Sequence, residues 1–291
     1  MADKPTPEEL KRRYEEYRER AIAAFPFEQI ECPGDQALST WQGLVTSGRG
    51  APVVVGDYDA FVRIAEMVPE LPGFVRENTP EILQKAVCLR HPVDLINQRA
   101  NEMEKARELI QQRRETKPGA PLPDFLKTIF PDMPITQPNR EDLIAAMSAD
   151  YVPEVGEWPT EAPVSPGLSV AADFRSGEPL ALTYIILVPT DDWTTIPAHL
   201  RWGNWNGCPA PEYHVAALRS WRDRFGAELV GLSSDVMNIR VRHRPKSRGE
   251  ALELAREQYS YCSDIVDQGV GTLNALAAAL MENDWWYFWW D

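Results

Sequence analysis

Apolar residues recur at three- and four-residue intervals in many segments of the chain, a spacing that places them on one face of an α-helix. The first segment, residues 6 to 25, begins with Thr6, Pro7 and Glu9, the pattern of a capping box with proline in the first helical turn. By the same reasoning, helices are predicted over residues 58 to 68, from 79 to the His91-Pro92 pair, over 93 to 116, from Asn139, and over 211 to 225, 247 to 266 and 272 to 281.

Short uninterrupted apolar runs between these helices predict β-strands that are buried on both faces. They cover residues 52 to 57, 180 to 189, 229 to 232 and 237 to 241. The chain ends in six consecutive aromatic residues, 285 to 290, followed by Asp291. We expect this run to be a strand in the middle of a sheet. The alternative is an exposed aromatic platform for sugars or bases, which we disfavour because so large an exposed apolar patch promotes aggregation.

The order of these elements predicts an α+β fold in which a mixed β-sheet packs against several helices. Prolines are frequent in residues 117 to 139, predicted to be a loop or lid, and again in residues 152 to 168, predicted to be a linker. We therefore expect a mainly helical N-terminal region, residues 1–165, with one short buried strand, and an α+β domain over residues 166–291.

Charge and composition exclude several classes of function. The chain has 30 Lys and Arg against 44 Asp and Glu, a formal net charge of −14, which opposes binding to nucleic-acid phosphates. No segment approaches the roughly 20 apolar residues of a membrane span, and no signal peptide is recognisable, so we expect a cytoplasmic protein with no membrane association. The four cysteines form no CxxC pair and His91 has no partner at metal-ligand spacing, so neither a metal nor another cofactor is predicted.

Several motifs of the last third occur in an order that is typical of one family. They are Trp202 to Pro209, Arg224 to Glu228, Glu250 to Tyr259, Cys262 to Ile265 with Gln268-Gly269, and the terminal Trp-Tyr-Phe-Trp-Trp-Asp. Over about residues 180 to 291 the chain thus resembles the bacterial family called domain of unknown function 4253. The resemblance implies no particular activity.

The polar residues of this last third form a candidate site. One group lies in a loop or at the start of the helix that follows it, where free N–H groups are available. A second group recurs at three- and four-residue spacings, which places its members on one helical face. If that face meets the loop, the two groups line a small acidic pocket. The candidate ligand-binding residues are Asn206, Cys208, His214, Asp235, Glu257, Tyr261, Asp264 and Gln268.

Two interpretations of these residues stay open. In the first, His214 is a general base, Glu257 or Asp264 is an acid or a metal ligand, and Cys208 is a nucleophile beside the thiol of Cys262. In the second, Asn206 and Asp264 cap turns, His214 packs against the sheet, Glu257 pairs with an arginine, and both cysteines are buried packing residues. Arg219 and Arg256 are the arginines nearest in sequence.

Two functions follow from these observations. The leading hypothesis is an acidic protein-binding module, of the immunity or regulatory kind, with a basic protein partner, because an acidic surface accelerates association with a basic one. The alternative is an enzyme or ligand-binding protein for a small molecule, in which the Asn206 loop and the Glu257 helix form the pocket. The sequence contains no complete catalytic motif that decides between them.

Overall fold

The computed structural model describes residues 6–68, 77–116 and 153–290. The proline-rich segment 117 to 139 and the helix predicted from Asn139 lie outside these residues. Within them, the predicted α+β class is confirmed: a mixed sheet packs against several helices.

Six strands of the described residues form one sheet in the order β1-β3-β2-β4-β5-β6. Neighbouring strands are antiparallel except β2 and β4, which pair in parallel. The strands are β1 (Glu28–Cys32), β2 (Ala51–Gly56), β3 (Thr183–Val188), β4 (Glu228–Leu232), β5 (Val236–Arg240) and β6 (Trp285–Trp289).

The N-terminal region contributes two strands to this sheet, not the single strand predicted. Strands β1 and β2 flank β3, so that Ile185 lies opposite both Ile30 and Val54. Strand β1 was missed because Glu28 to Cys32 is a mainly polar segment, as suits a strand at the edge of a sheet. Strands from both sides of the proposed boundary near residue 165 therefore belong to one sheet. Independent folding of the two regions stays a prediction.

Helices cover both faces of the sheet, and their ends follow the predicted capping signals. Thr6 and Glu9 form the capping box of α1, Ser247 caps α8 by accepting a hydrogen bond from the Glu250 N–H, and Gly226 ends α7 at a φ of 59°. Only α2 and α6 have no counterpart in the sequence prediction. The helices are α1 (Pro7–Ala23), α2 (Ala37–Ser47), α3 (Tyr58–Met67), α4 (Thr79–Cys88), α5 (Val93–Thr116), α6 (Ile196–Leu200), α7 (Pro211–Phe225), α8 (Arg248–Tyr261) and α9 (Leu273–Glu282).

The sheet has a large core on one face and a small one on the other. The large core contains buried residues of α3, α6, α7, α8 and α9, and the rings of Trp286, Phe288 and Trp290. The small core is built around Trp41 of α2, whose indole N–H donates to the Pro52 carbonyl at 2.9 Å. Most helices thus pack on one face, which becomes the interior of the molecule.

The aromatic strand β6 is an edge strand, so the prediction of a central strand was wrong. Among the described strands it pairs only with β5. Its burial alternates: Trp286 and Phe288 are buried, whereas Trp285, Tyr287 and Trp289 are half-buried. The alternation is that of a strand with one face on the main core, and six consecutive aromatic residues conceal it in the sequence. None of the six side chains is exposed, so they form no open platform.

Candidate functional site

The carboxylate of Glu257, on α8, lies at the centre of a buried hydrogen-bond cluster. Its side chain is only 8% exposed. Trp221 Nε1 donates to Oε1 at 2.6 Å, and Arg224 Nη1 donates to Oε1 at 2.8 Å and to Oε2 at 2.7 Å. The His91 Nε2 atom lies 3.1 Å from Oε1. Burial by itself raises the pKa of Glu257, but the hydrogen bonds from His91 and Arg224 outweigh it, and the net shift is downward.

This cluster matches the arginine pairing of the second interpretation, although the arginine is Arg224. The two candidates nearest in sequence are not the partner: Arg219 contacts Asp192 at 3.3 Å, and Arg256 is exposed. His91 belongs to the cluster too, with a side chain that is 1% exposed. The sequence marks His91 only by its position before Pro92, where the helical pattern is interrupted, and this position does not predict a contact with Glu257. A carboxylate with all these donors is held ionised, which suits an ion pair better than a general acid.

His214 forms a second buried cluster with Cys208 and Tyr261. His214 Nδ1 lies 2.5 Å from the Tyr261 hydroxyl, and Nε2 lies 3.4 Å from Cys208 Sγ. Burial lowers the pKa of His214 to about 3, because an imidazolium is poorly solvated there. Burial also raises the pKa of Cys208 and of Tyr261 well above their ordinary values. All three groups are therefore neutral near pH 7, which favours a packing role over base or nucleophile chemistry.

The predicted helical face with four polar residues does not form. Helix α8 ends at Tyr261, Cys262 is extended at a φ of −146°, and a π-helical turn covers Ile265–Val270. Asp264 and the exposed Gln268 consequently lie beyond the face that carries Glu257. The Cys262 thiol instead donates to the Trp289 carbonyl at 2.9 Å, and burial raises its pKa to about 12.

Arg99 of α5 joins the Asn206 loop to the end of α8. Its Nη2 donates to the Gly207 carbonyl at 2.8 Å and to the Tyr261 carbonyl at 2.9 Å. The two segments predicted to meet are therefore held together, but through their backbones. Arg99 was missed because it is one of many charged residues on a long polar helix, with no local signal.

The loop from Trp202 to Pro209 has an unusual backbone. Asn204 and Asn206 have positive φ values of 72° and 39°, in the left-handed region that few residues other than glycine adopt. Gly203 is required as well, because a Cβ there would lie 2.2 Å from the Pro209 carbonyl oxygen. The Trp202 indole anchors the loop by donating to the Ser233 carbonyl at 2.7 Å. The loop thereby presents Trp205 and Asn206 beside the turn between β4 and β5.

Two predicted site residues, Asn206 and Asp235, line a cleft of about 440 Å³ that we call the loop cleft. It lies between the Asn206 loop, the turn between β4 and β5, and helices α1 and α3. Asp235 Oδ1 accepts hydrogen bonds from the Ser233 and Ser234 hydroxyls at 3.1 and 3.0 Å. The full lining is Tyr17, Arg63, Glu66, Met67, Trp205, Asn206, Ser234, Asp235 and Trp290.

A larger cleft of about 640 Å³, the helix cleft, lies between α4 and the start of α7. Three carboxylates and one ammonium group line it. Lys85 contacts Glu77 and lies 4.0 Å from Glu212, and the hydrogen bond that Lys85 donates to Glu77, with the nearby carboxylates of Glu212 and Glu81, raises the pKa of Lys85. No sequence pattern predicted this cleft, whose lining is Glu77, Glu81, Gln84, Lys85, Cys88, Leu89, Glu212 and Tyr213.

In the part of the chain that the structure describes, these features define an α+β protein with a buried ionic core and two open clefts whose linings include charged side chains. Among the described residues, no group of three His, Cys, Asp or Glu side chains is arranged to hold a metal ion. No helix within these residues has the length and apolar character to cross a bilayer.

The family comparison assigns the C-terminal part of the chain. The family model described as Domain of unknown function (DUF4253) matches residues 184–291, which confirms the resemblance inferred from the motifs of the last third. The matched segment includes nearly all of β3 and continues through β6, whereas β1, β2, His91 and Arg99 precede it. Neither the curated proteins nor the solved structures contain a significant match to the chain.

Proposed function

We propose that the protein is a binding module of the cytoplasm, immunity-like or regulatory, that recognises a basic protein partner through the helix cleft. The observation that carries the proposal is the surplus of carboxylates in this cleft. Glu77, Glu81 and Glu212 face a single ammonium group, Lys85, which is already paired. Lysine or arginine side chains of a partner complement such a surface.

Two further residues at or beside the helix cleft show its negative charge and add apolar surface to it. Burial raises the pKa of Tyr213, and the carboxylates of Glu212, Glu102 and Asp94 raise it further, which is the effect of a negative field on this side of the molecule. Val87, next to the cleft residue Cys88, is 74% exposed. Exposed apolar surface beside charged groups is a common arrangement at protein interfaces.

The burial of Glu257 and His214 favours a binding function for the protein over a catalytic one. Glu257 and His214 are the two residues predicted to act as acid and base, but both are buried and form hydrogen bonds with other side chains of the protein. A general acid or base must come within hydrogen-bond reach of a substrate proton.

The proposal is tested with a fluorescein-labelled oligoarginine peptide, followed by anisotropy. The variant neutralises the cleft with three substitutions, Glu77→Gln, Glu81→Gln and Glu212→Gln. At about 0.5 kcal/mol for each exposed charge, the affinity is expected to fall by about tenfold at low salt. The affinity of the unmodified protein should also fall as salt is raised.

A matched control separates the cleft from net charge alone. Glu8→Gln, Glu15→Gln and Glu19→Gln remove three charges from the exposed surface of α1 and should weaken binding much less. An equal loss in the two triple variants, or binding that salt does not change, would contradict a specific surface at the helix cleft.

A specific observation also favours the second candidate function, binding of a small molecule. Two residues that line the loop cleft, Glu66 and Trp290, each have a buried polar atom, Oε1 and Nε1, that forms no hydrogen bond with any described residue. Because such atoms are costly to leave unpaired, a ligand at this place is a reasonable partner for them.

A further inference from the structure

The unpaired atoms of Trp290 and Glu66, two residues that line the loop cleft, are a donor and an acceptor. Trp290 is 3% exposed, and its Nε1 has an N–H group that no described residue accepts. Glu66 Oε1 accepts no hydrogen bond from a described residue, and its ion-pair partner Arg18 lies 3.8 Å away, beyond hydrogen-bond distance. A complementary ligand therefore supplies an acceptor to the indole and a donor to the carboxylate.

Charges at the same cleft point to a ligand that carries both signs. Arg63 is exposed at the cleft, while Glu66 and Asp235 are half-buried carboxylates in its lining. The described partners of Asp235 Oδ1 are serine hydroxyls, which do not neutralise it. An ammonium group suits the two carboxylates, and a carboxylate suits Arg63 together with the Trp290 N–H.

Three of the residues that line the cleft offer apolar surface. Tyr17, Met67 and Trp205 contribute rings and a thioether. The Trp205 ring is held edge-to-face against Trp202, with centroids 5.0 Å apart, so this wall is fixed in place. A cleft of about 440 Å³ lies within the range of roughly 300–1,000 Å³ that small-molecule sites occupy.

We propose that the loop cleft binds a zwitterionic α-amino acid with an apolar or aromatic side chain. The ammonium group of the ligand donates to Glu66 and Asp235. Its carboxylate accepts from the Trp290 N–H and pairs with Arg63, and its side chain packs on Tyr17, Met67 and Trp205. This inference rests on the second candidate function, binding of a small molecule, and not on the helix cleft.

The test uses isothermal titration calorimetry of the full chain with L-phenylalanine, L-tryptophan, L-leucine and L-methionine. For phenylalanine, phenethylamine lacks the carboxylate and 3-phenylpropionate lacks the ammonium group. At least one amino acid should bind with a Kd below about 1 mM, as expected for a specific small-molecule site. If phenylalanine is bound, both of its analogues should bind at least about tenfold more weakly, since each loses a charge-assisted hydrogen bond.

The variants place the ligand in the cleft. Trp290→Phe removes the N–H group while keeping an aromatic ring, and should weaken binding about tenfold or more. Trp286→Phe is its matched control, because Trp286 has an unpaired buried Nε1 in the same segment but does not line the cleft. Glu66→Gln keeps the size of this half-buried side chain of α3 and is compared with Glu19→Gln at an exposed position of α1.

The proposal is overturned if none of the four amino acids binds at concentrations up to about 10 mM, a limit far weaker than a specific site requires. It is overturned equally if binding survives both Trp290→Phe and Glu66→Gln, or if Trp286→Phe weakens it as much as Trp290→Phe. The triple neutralisation of the helix cleft should leave amino-acid binding unchanged. Failure of this inference and failure of the basic-partner proposal are thereby distinguished.

Discussion

Replacing the buried carboxylate of Glu257 with an amide tests the internal ionic cluster. Glu257→Gln keeps the shape of the side chain but removes the charge that Arg224 Nη1 contacts at 2.8 and 2.7 Å. Breaking a buried ion pair from one side costs about 3–5 kcal/mol. Arg224 is 42% exposed and can be solvated, and the amide oxygen can still accept from Trp221, so we expect a loss of about 2–3 kcal/mol.

The pH dependence of this loss has a definite sign. Because the folded-state pKa of Glu257 is lowered, its carboxylate stabilises the fold fully above the unfolded-state pKa, near the ordinary glutamate value of 4.5. That contribution disappears as the pH falls through the lowered folded-state pKa. The difference in unfolding free energy between the unmodified protein and Glu257→Gln should therefore be constant from about pH 8 to pH 5 and narrow at lower pH.

Urea unfolding, followed by tryptophan fluorescence at a series of pH values, measures both effects. Glu253→Gln, at an exposed position of the same helix, is the control and should change stability by no more than about 0.5 kcal/mol. A loss below about 1 kcal/mol at pH 7 would refute the reasoning, since it falls short of one charged hydrogen bond. A difference that widens towards acidic pH would refute it too.

Three further predictions concern the loop, the thiols and the aromatic strand. Gly203→Ala should lower the melting temperature by several degrees or prevent folding, because its Cβ would meet the Pro209 carbonyl oxygen at 2.2 Å, whereas Gly249→Ala, with its nearest contact at 3.9 Å, should be neutral or stabilising. A thiol reagent should modify Cys88 rapidly in the folded protein and the other three cysteines only after denaturation, since they are buried; fast reaction of all four would contradict the fold. Deleting residues 285–291 should yield an insoluble or non-cooperative protein, and cooperative melting near the original temperature would show that β6 is peripheral.

The aromatic run illustrates why strand position escaped the sequence analysis. Residues 285 to 290 are aromatic without exception, so their side chains give no alternation to distinguish a strand with one fully buried face from a strand buried on both. Pairing with β5 and coverage by helices on one face are properties of the assembled sheet. The edge position of β6 was therefore visible only in the tertiary structure.

The early end of α8 has a similar cause. Cys262, Ser263 and Asp264 contain no glycine or proline, so no local stop signal interrupts the helical spacing. At this end of α8, Arg99 donates a hydrogen bond to the Tyr261 carbonyl, and the Cys262 thiol donates one to the Trp289 carbonyl. These partners are distant in sequence, and Asp264 was placed on the wrong face for that reason.

The sequence by itself determined the features that depend on neighbours within a few residues. The capping box at Thr6, the cap at Ser247 and the glycine after α7 set helix ends through contacts three or four residues apart, and the motifs of the last third identified its family. Only the tertiary structure decided the partners of Glu257, because His91 is 166 residues away along the chain. It also assembled the loop cleft from separate segments, since the closeness of two side chains in a folded core depends on packing and not on their spacing in sequence.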